Sequence, residues 1–339
     1  MSELATAVFA AHTDAHLLDA PRSARFASFR ATFDEAGFLG DLAARGYRWL
    51  PRSDRSFPVR LRSIHDPPPG LFVRGEAPFA LLDRLSVAVV GARACSHYGA
   101  TVAMSLAREL AAAGVLVVSG LARGVDGAAH RGALQAGTTV AVLGCGIDRD
   151  YPRTHASLAT EIARDGLIVS EYAPGVEPAP WRFPARNRIV SGLTLATVVI
   201  EARERSGALI TADLALDEGR EVLAVPGEIT SQLSRGTNHL LRLGAVPVTC
   251  AADVLRVLGV DPPPAREPPA LDPRLERIRV AVADNATTAD ELAQATGQSA
   301  RVVAAALAEL ELLGIVEEAD GVYRAPGWPL RARTVGSRP

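Results

Sequence analysis

The sequence predicts a doubly wound α/β protein with an open parallel sheet, and three observations carry that expectation. Short β-branched runs alternate with helical stretches throughout residues 85–258. The runs are apolar at consecutive positions, the pattern of strands buried on both faces. Three successive runs, at 87–90, 115–118 and 139–143, each lead into a glycine loop that carries an arginine. Parallel strands bring such loops to the carboxyl edge of the sheet, where ligands bind.

Residues 1–65 read as a small helical domain, broken at Gly37, Gly40 and Gly46 and without alternating strands. Arg22, Arg25, Arg30, Arg48, Arg52, Arg55, Arg60 and Arg62 make its latter part basic, which reads first as a solvated face and second as an auxiliary DNA contact. Asp66-Pro67-Pro68-Pro69-Gly70 is a stiff turn that opens the core, residues 66–260. After the strand at 87–90, Val102, Leu106 and Leu110 mark one buried helix stripe. Strands follow at 115–119, 138–143, 167–170, 195–201, 221–225 and 246–249. That count falls short of a closed barrel and suits right-handed crossovers in an open sheet. Between strands, Pro184 fits the first turn of a helix in which Arg186 and Arg188 flank Asn187. Ser206 opens the next helix, and Pro226-Gly227 ends the strand after it.

Residues 261–270 are a proline-rich linker. Beyond it, Leu275, Ile278 and Val282 share a helix face, Thr288 and Glu291 form a capping box, and Val302, Val303, Ala306, Leu307 and Leu310 line a third helix. Gly314 ends that helix. Ile315-Val316 and Val322-Tyr323 then read as a hairpin across Asp320-Gly321. Residues 271–326 therefore resemble a winged helix, followed by a flexible tail at 327–339. Its recognition helix carries Arg301 but also Glu309 and Glu311, and its wing carries Glu317, Glu318 and Asp320. Such a charge pattern argues against strong DNA binding by this module.

The net charge of −2 means that any nucleic-acid site must be a local cluster. All 36 basic residues are arginine, the side chain suited to bidentate phosphate contacts; a base-composition bias explains that choice. Cys95, Cys145 and Cys250 lie far apart and suggest neither disulfides nor zinc, which fits the cytoplasm. The polar, acidic start has no signal-peptide pattern, and no apolar run spans a bilayer, so membrane insertion is not expected. His97, His130, His155 and His239 are scattered and read as structural.

At 115–130 a strand, a glycine turn and a helix start place small residues, free N–H groups and Arg123 where phosphate could approach. The alternative is that the glycines turn the chain and Asp126 caps the helix. A nicotinamide site is disfavoured because residues 91–96 lack the three-glycine spacing and 144–149 hold two of the three. A nucleoside-monophosphate phosphoribohydrolase is the stronger rival, with Glu171, Glu201 and Glu228 as available carboxylates. However, Pro226-Gly227 is followed by Glu228 and Ile229 rather than by more glycine.

Together these stretches resemble the DNA-processing protein A (DprA, or Smf) family. The matching residues are Val-Gly-Ala-Arg at 90–93, Ser96, Tyr98-Gly99, Ser-Gly-Leu-Ala-Arg-Gly-Val-Asp at 119–126 and His130. The match continues through residues 146–152, Ser170-Glu171, 183–192, 206–212, Pro226-Gly227, 236–238 and Gly244-Ala245. It departs at Ala92, where Thr or Ser is usual, and at Thr237, often Cys. The resemblance implies an extended Rossmann core, an N-terminal domain of the SAM-like kind, and a homodimer without cofactor or catalytic activity. It implies binding of single-stranded DNA and loading of the RecA recombinase during natural transformation, with displacement or bypass of single-strand-binding protein. Arg93, Arg123, Arg153, Arg186 and Arg188 would contact phosphates, helped by backbone N–H groups at Gly91, Gly120 and Gly124. Tyr151 and Phe183 would stack on bases, with core packing the other reading of Phe183. Ser96, Ser119 and Asn187 join the DNA-binding set, while Asp126, Asp148 and Glu171 would cap helices or orient arginines. The resemblance also points to dimerisation through Leu240, Leu241, Leu243, Val246 and Val248, with packing inside the chain as the alternative.

Overall fold

The computed structural model describes residues 2–13, 23–261, 271–284, 287–313, 315–319 and 321–324, which fall in two compact units, Met1–Pro262 and Pro263–Pro339. In the first unit, helices α1 (Glu3–Thr13), α2 (Ala24–Thr32) and α3 (Glu35–Ala44) lead to strand β1 (Tyr47–Pro51), helix α4 (Val59–Arg62) and strand β2 (Gly70–Arg74). The alternating part follows: β3 (Ser86–Val90), α5 (His97–Ala112), β4 (Leu116–Ser119), α6 (Val125–Leu134), β5 (Thr139–Val142), α7 (Ala156–Asp165) and β6 (Leu167–Ser170). Then come α8 (Arg182–Gly192), β7 (Ala196–Val199), α9 (Gly207–Asp217), β8 (Glu221–Ala224), α10 (Arg235–Arg242), β9 (Val246–Pro247) and α11 (Ala251–Val257).

The described strands of this unit form one sheet in the order β1-β2-β6-β5-β4-β3-β7-β8-β9. From β6 to β9 all neighbours are parallel. The chain moves outward from β3 to β6, returns to β7 beside β3, then moves out the other way. That reversal opens a crevice between the loops after β3 and β7, the usual ligand position in this class. Alternation within β3 serves both helix layers. Val87 and Val89 pack with Val102, Leu106 and Leu110 of α5, whereas Ala88 and Val90 share a core with Ile189 of α8 and Ala208 and Ala212 of α9.

The expectation that residues 1–65 form a helical domain without strands needs correction. Tyr47–Pro51 is β1, paired antiparallel to β2, which is itself antiparallel to β6. Trp49 sits opposite Phe72 with ring centroids 4.6 Å apart, and Leu50 is fully buried. Much of the basic character of this stretch is structural as well. Arg48 donates to the carbonyls of Gly75 and Ala77, Arg60 to those of Leu193 and Arg84, and Arg62 to those of Asp54 and Phe57. Arg52 lies 3.8 Å from Glu3. Arg25, Arg30 and Arg55 remain exposed, and Arg22 lies outside the described residues.

The second unit is a winged helix: α12 (Pro273–Asp284), β10 (Thr287–Thr288), α13 (Ala289–Thr296), α14 (Ala300–Leu312), β11 (Glu317–Ala319) and β12 (Val322–Arg324). Leu275, Ile278, Val282, Val303, Ala306, Leu307 and Leu310 are buried in its core, and Thr288 and Glu291 close the capping box. The wing begins two residues later than the sequence suggests, with Glu318 opposite Tyr323. The N–H groups of Ile315 and Val316 bond back to the Leu310 carbonyl, so these residues finish α14 instead of starting a strand. Gly314, Asp320, linker residues 262–270 and the tail at 327–339 lie outside the described residues.

Candidate nucleic-acid interface

The crevice beside β3 holds a cavity of about 340 Å³. Gly91, Arg93, Gly120, Phe183, Arg186 and Asn187 line one side, and Arg203, Arg205 and Ser206 the other.

The loop after β4 is not an open phosphate cradle. The N–H groups of Gly120 and Ala122 donate to Asp126 Oδ2 at 3.1 and 3.3 Å. Asp126 is buried, and burial raises its pKa against the pull of Arg186, the two loop amides and Arg93. The expectation that the Gly120 amide takes a phosphate is therefore corrected: a carboxylate of the same chain already fills it. Gly124, at φ 76°, is required because a Cβ there would lie 2.3 Å from the Ala92 carbonyl oxygen. Gly91 meets the same packing need, since its Cβ would come 2.7 Å from Val125 Cγ2.

Four further members of the expected DNA-binding set are committed inside the protein. Buried Ser119 donates to the Val89 carbonyl at 2.7 Å. Ser96 caps α5 by accepting from the Gly99 N–H at 3.0 Å, and its hydroxyl donates to Glu201. Arg186 is buried and donates to the carbonyls of Gly120, at 2.7 Å, and Val142, tying α8 to two strand ends. Arg188 makes a bidentate pair with Glu171 at 2.8 and 2.7 Å and reaches Asp66 at 2.9 Å. Burial pulls the Arg188 pKa down, but Glu171 and Asp66 outweigh it and hold the guanidinium above its ordinary value. These side chains position the site and do not offer themselves to phosphate. Asn187 is intermediate: its amide donates to the Gly207 carbonyl at 3.2 Å, on the cavity wall.

The remaining residues come together as an exposed surface. The Arg93 guanidinium lies 5.0 Å from the centre of the Phe183 ring, and Phe183 stacks on Tyr151 at 5.3 Å and 26°. Tyr151 is 42 % exposed, which leaves its outer face open. Arg123 and Arg153 are exposed on abutting loops, joined where His155 Nδ1 lies 3.0 Å from the Leu121 carbonyl oxygen. Among the described residues, neither arginine has an ion-pair or hydrogen-bond partner. The same is true of Arg203 and Arg205, which sequence reasoning missed. They precede the Ser206 cap of α9, and intervening Glu204 makes the stretch look charge-balanced until Glu204 is seen turning to Arg235 at 3.8 Å.

At the other end of the sheet, β9 is the outer strand. Leu243 is 71 % exposed, and Leu241 and Val246 are half-buried. Leu240 and Val248 are buried in the cores of this unit, which removes them from the expected dimer contact.

The chain matches the family model for DNA recombination-mediator protein A over residues 48–259 and that for the DprA winged helix domain over residues 262–321. It belongs to the DNA-processing protein A family. Among DprA relatives, it is 38 % identical to Protein Smf of Escherichia coli over 311 residues, 88 % of this chain and 82 % of that protein. It is 47 % identical to DNA processing protein DprA of Streptococcus pneumoniae over 207 residues, 60 % of this chain and 71 % of that one. The X-ray structure of the Streptococcus pneumoniae DprA superposes with a TM-score of 0.63 at 42 % identity, covering 68 % of this chain and 80 % of that one. DNA processing protein A of Helicobacter pylori, solved for its single-stranded DNA binding mode, gives a TM-score of 0.57 at 34 % identity, covering 62 % and 95 %. No helix among the described residues is long and apolar enough to cross a membrane.

Proposed function

We propose that this protein binds single-stranded DNA along the carboxyl edge of its sheet and delivers it to the RecA recombinase during natural transformation, without a catalytic step. One observation carries the reading. The backbone amides that would hold a compact nucleotide phosphate are filled by Asp126, while unpaired arginines and the Arg93–Phe183–Tyr151 stack face outward. Side-chain cations with an exposed aromatic ring suit a flexible strand, whose phosphates they track and whose bases they stack. The single-stranded DNA binding mode named for the Helicobacter pylori relative supports the same reading. We assign the homodimer contact to Leu241, Leu243 and the β9 edge, because an exposed self-complementary edge closes a two-fold pair.

Gel-shift titrations with a single strand and the matching duplex in one salt test the binding step. The single strand should bind more tightly; equal or tighter binding to the duplex removes the reading. RecA delivery is tested by RecA filament growth on DNA coated with single-strand-binding protein, which this protein should accelerate. Release of free base from nucleoside monophosphates at enzymatic rates would instead favour a phosphoribohydrolase.

A further inference from the structure

We propose that the loops after β7 and β8 form a second contact for the DNA strand, starting at the Arg203 and Arg205 wall of the cavity and leading from it toward the β9 edge. This rests on the reading of the protein as a single-strand binder.

The loops after β7 and β8 and the starts of α5 and α10 make one fixed surface. The Tyr98 hydroxyl at the start of α5 donates to the Pro226 carbonyl at 3.4 Å. Asn238 in α10 clasps the same loop, accepting from the Gly227 N–H at 3.3 Å and donating to the Gly227 carbonyl at 3.0 Å. Gly236 donates its N–H to the Ala202 carbonyl at 2.8 Å, and a Cβ at Gly236 would lie 2.9 Å from the Arg203 carbonyl oxygen. A surface held at so many backbone points presents its side chains at defined positions.

What it presents is single-strand chemistry. Arg203 and Arg205 are exposed and unpaired among the described residues. Tyr98 is 44 % exposed, and Ile229 at the tip of the β8 loop is 90 % exposed with no core to cover it. Free guanidinium groups beside an open aromatic ring and a protruding aliphatic side chain can hold phosphates and splayed bases together. Of the three acids in these loops, Glu201 is buried and accepts from Ser96, Glu204 is engaged with Arg235, and Glu228 is the remaining exposed negative charge. The order β3-β7-β8-β9 runs this surface directly away from the cavity. A strand seated beside β3 therefore crosses it before reaching the outer edge.

The test compares oligothymidylates of about 20 and about 2 nucleotides, the shorter one too short to fill the cavity and also cross the loops beyond it. The Tyr98→Ala/Ile229→Ala variant should weaken the long strand at least about fivefold and leave the short one within about twofold. Arg203→Ala/Arg205→Ala should flatten the salt dependence of long-strand binding by roughly 1.4 in log–log slope, two phosphate contacts at about 0.7 each. All four side chains are exposed, and a thermal melt confirms that each variant is folded. Long-strand affinity unchanged by Tyr98→Ala/Ile229→Ala overturns this proposal. If Arg93→Ala nevertheless loses affinity, the cavity reading survives it; if Arg93→Ala is also silent, both fail.

Discussion

Arg188 offers the sharpest separation between a residue that touches DNA and one that builds the site. Its motif position suggests a phosphate contact, yet its side chain is 11 % exposed and that of its partner Glu171 is 2 % exposed. Two parallel N–H···O bonds at 2.7–2.8 Å join them, with Asp66 as a third member. Glu171→Ala would leave a buried guanidinium with Asp66 as its remaining carboxylate partner, whose own side chain is 25 % exposed. Breaking such a buried pair from one side costs about 3–5 kcal/mol. For a unit of this size that lowers the melting temperature by roughly 6–20 °C.

Replacing the bidentate pair, Arg188→Met with Glu171→Leu, removes its two charges together and leaves only the partly exposed Asp66 carboxylate, so the variant should stay within about 2 kcal/mol of the parent protein. That double variant decides the question. It should bind a single strand with the parental salt slope, because no phosphate contact has been lost. Fluorescence anisotropy at several salt concentrations, beside a thermal melt, measures both quantities. A double variant that is folded and stable but has lost about 0.7 of its log–log slope would place Arg188 on a phosphate and refute the assignment.

Other expected outcomes follow from single features. Arg93→Ala should weaken single-strand binding about tenfold and reduce its salt slope while leaving the melting temperature unchanged, since the side chain is exposed. Leu243→Asp should give a folded monomer by light scattering, with weaker binding to long strands than to short ones; a wild-type chain already monomeric at micromolar concentration rules that contact out. A chain ending at residue 262 should keep its single-strand affinity in a gel shift, because the removed unit exposes Glu309, Glu311 and Glu318. Burial lowers the His130 pKa to about 3, so below pH 6.5 the unfolded chain takes up a proton that the folded chain refuses. The stability contribution of His130 is complete above that pH and falls by up to about 1.4 kcal/mol per pH unit as acid is added; denaturant titrations of His130→Gln should show a flatter slope between pH 6.5 and 4.

The parallel strands were legible because most are short apolar runs rich in β-branched residues, too short for a helix, and several end in a glycine loop. β1 escaped notice because Tyr-Arg-Trp-Leu-Pro gains its strand character from a cross-strand partner, with Trp49 meeting Phe72 23 positions later. The candidate site was legible only in part. Arg93, Arg123, Tyr151, Arg153 and Phe183 do converge on the carboxyl-edge loops, whereas the commitments of Arg188 and Ser96 are long-range. Glu171 and Asp66 lie 17 and 122 positions from Arg188, and Glu201 lies 105 from Ser96. A motif names residue types at a spacing; it does not show which of them a distant carboxylate has already claimed. Arg203 and Arg205 illustrate the reverse case, in which an adjacent acid in sequence is not the partner in space.

The same strand–loop–helix unit can serve a nucleotide or a strand of DNA, and what fills the loop decides between them. Open amides at a helix start fix one pyrophosphate in one pose. Here the amides of Gly120 and Ala122 are closed from within by Asp126. The approach to Gly120 is closed too, since a Cβ there would lie 2.5 Å from Arg186 Nη2. Removing Asp126 alone would therefore not restore a phosphate cradle, because the Arg186 guanidinium already lies against the loop. The loop becomes a rigid support, and recognition passes to arginines and rings on the outside. Such side chains can follow a backbone whose shape varies from step to step, a property that suits a sequence-tolerant binder better than amides locked in one geometry.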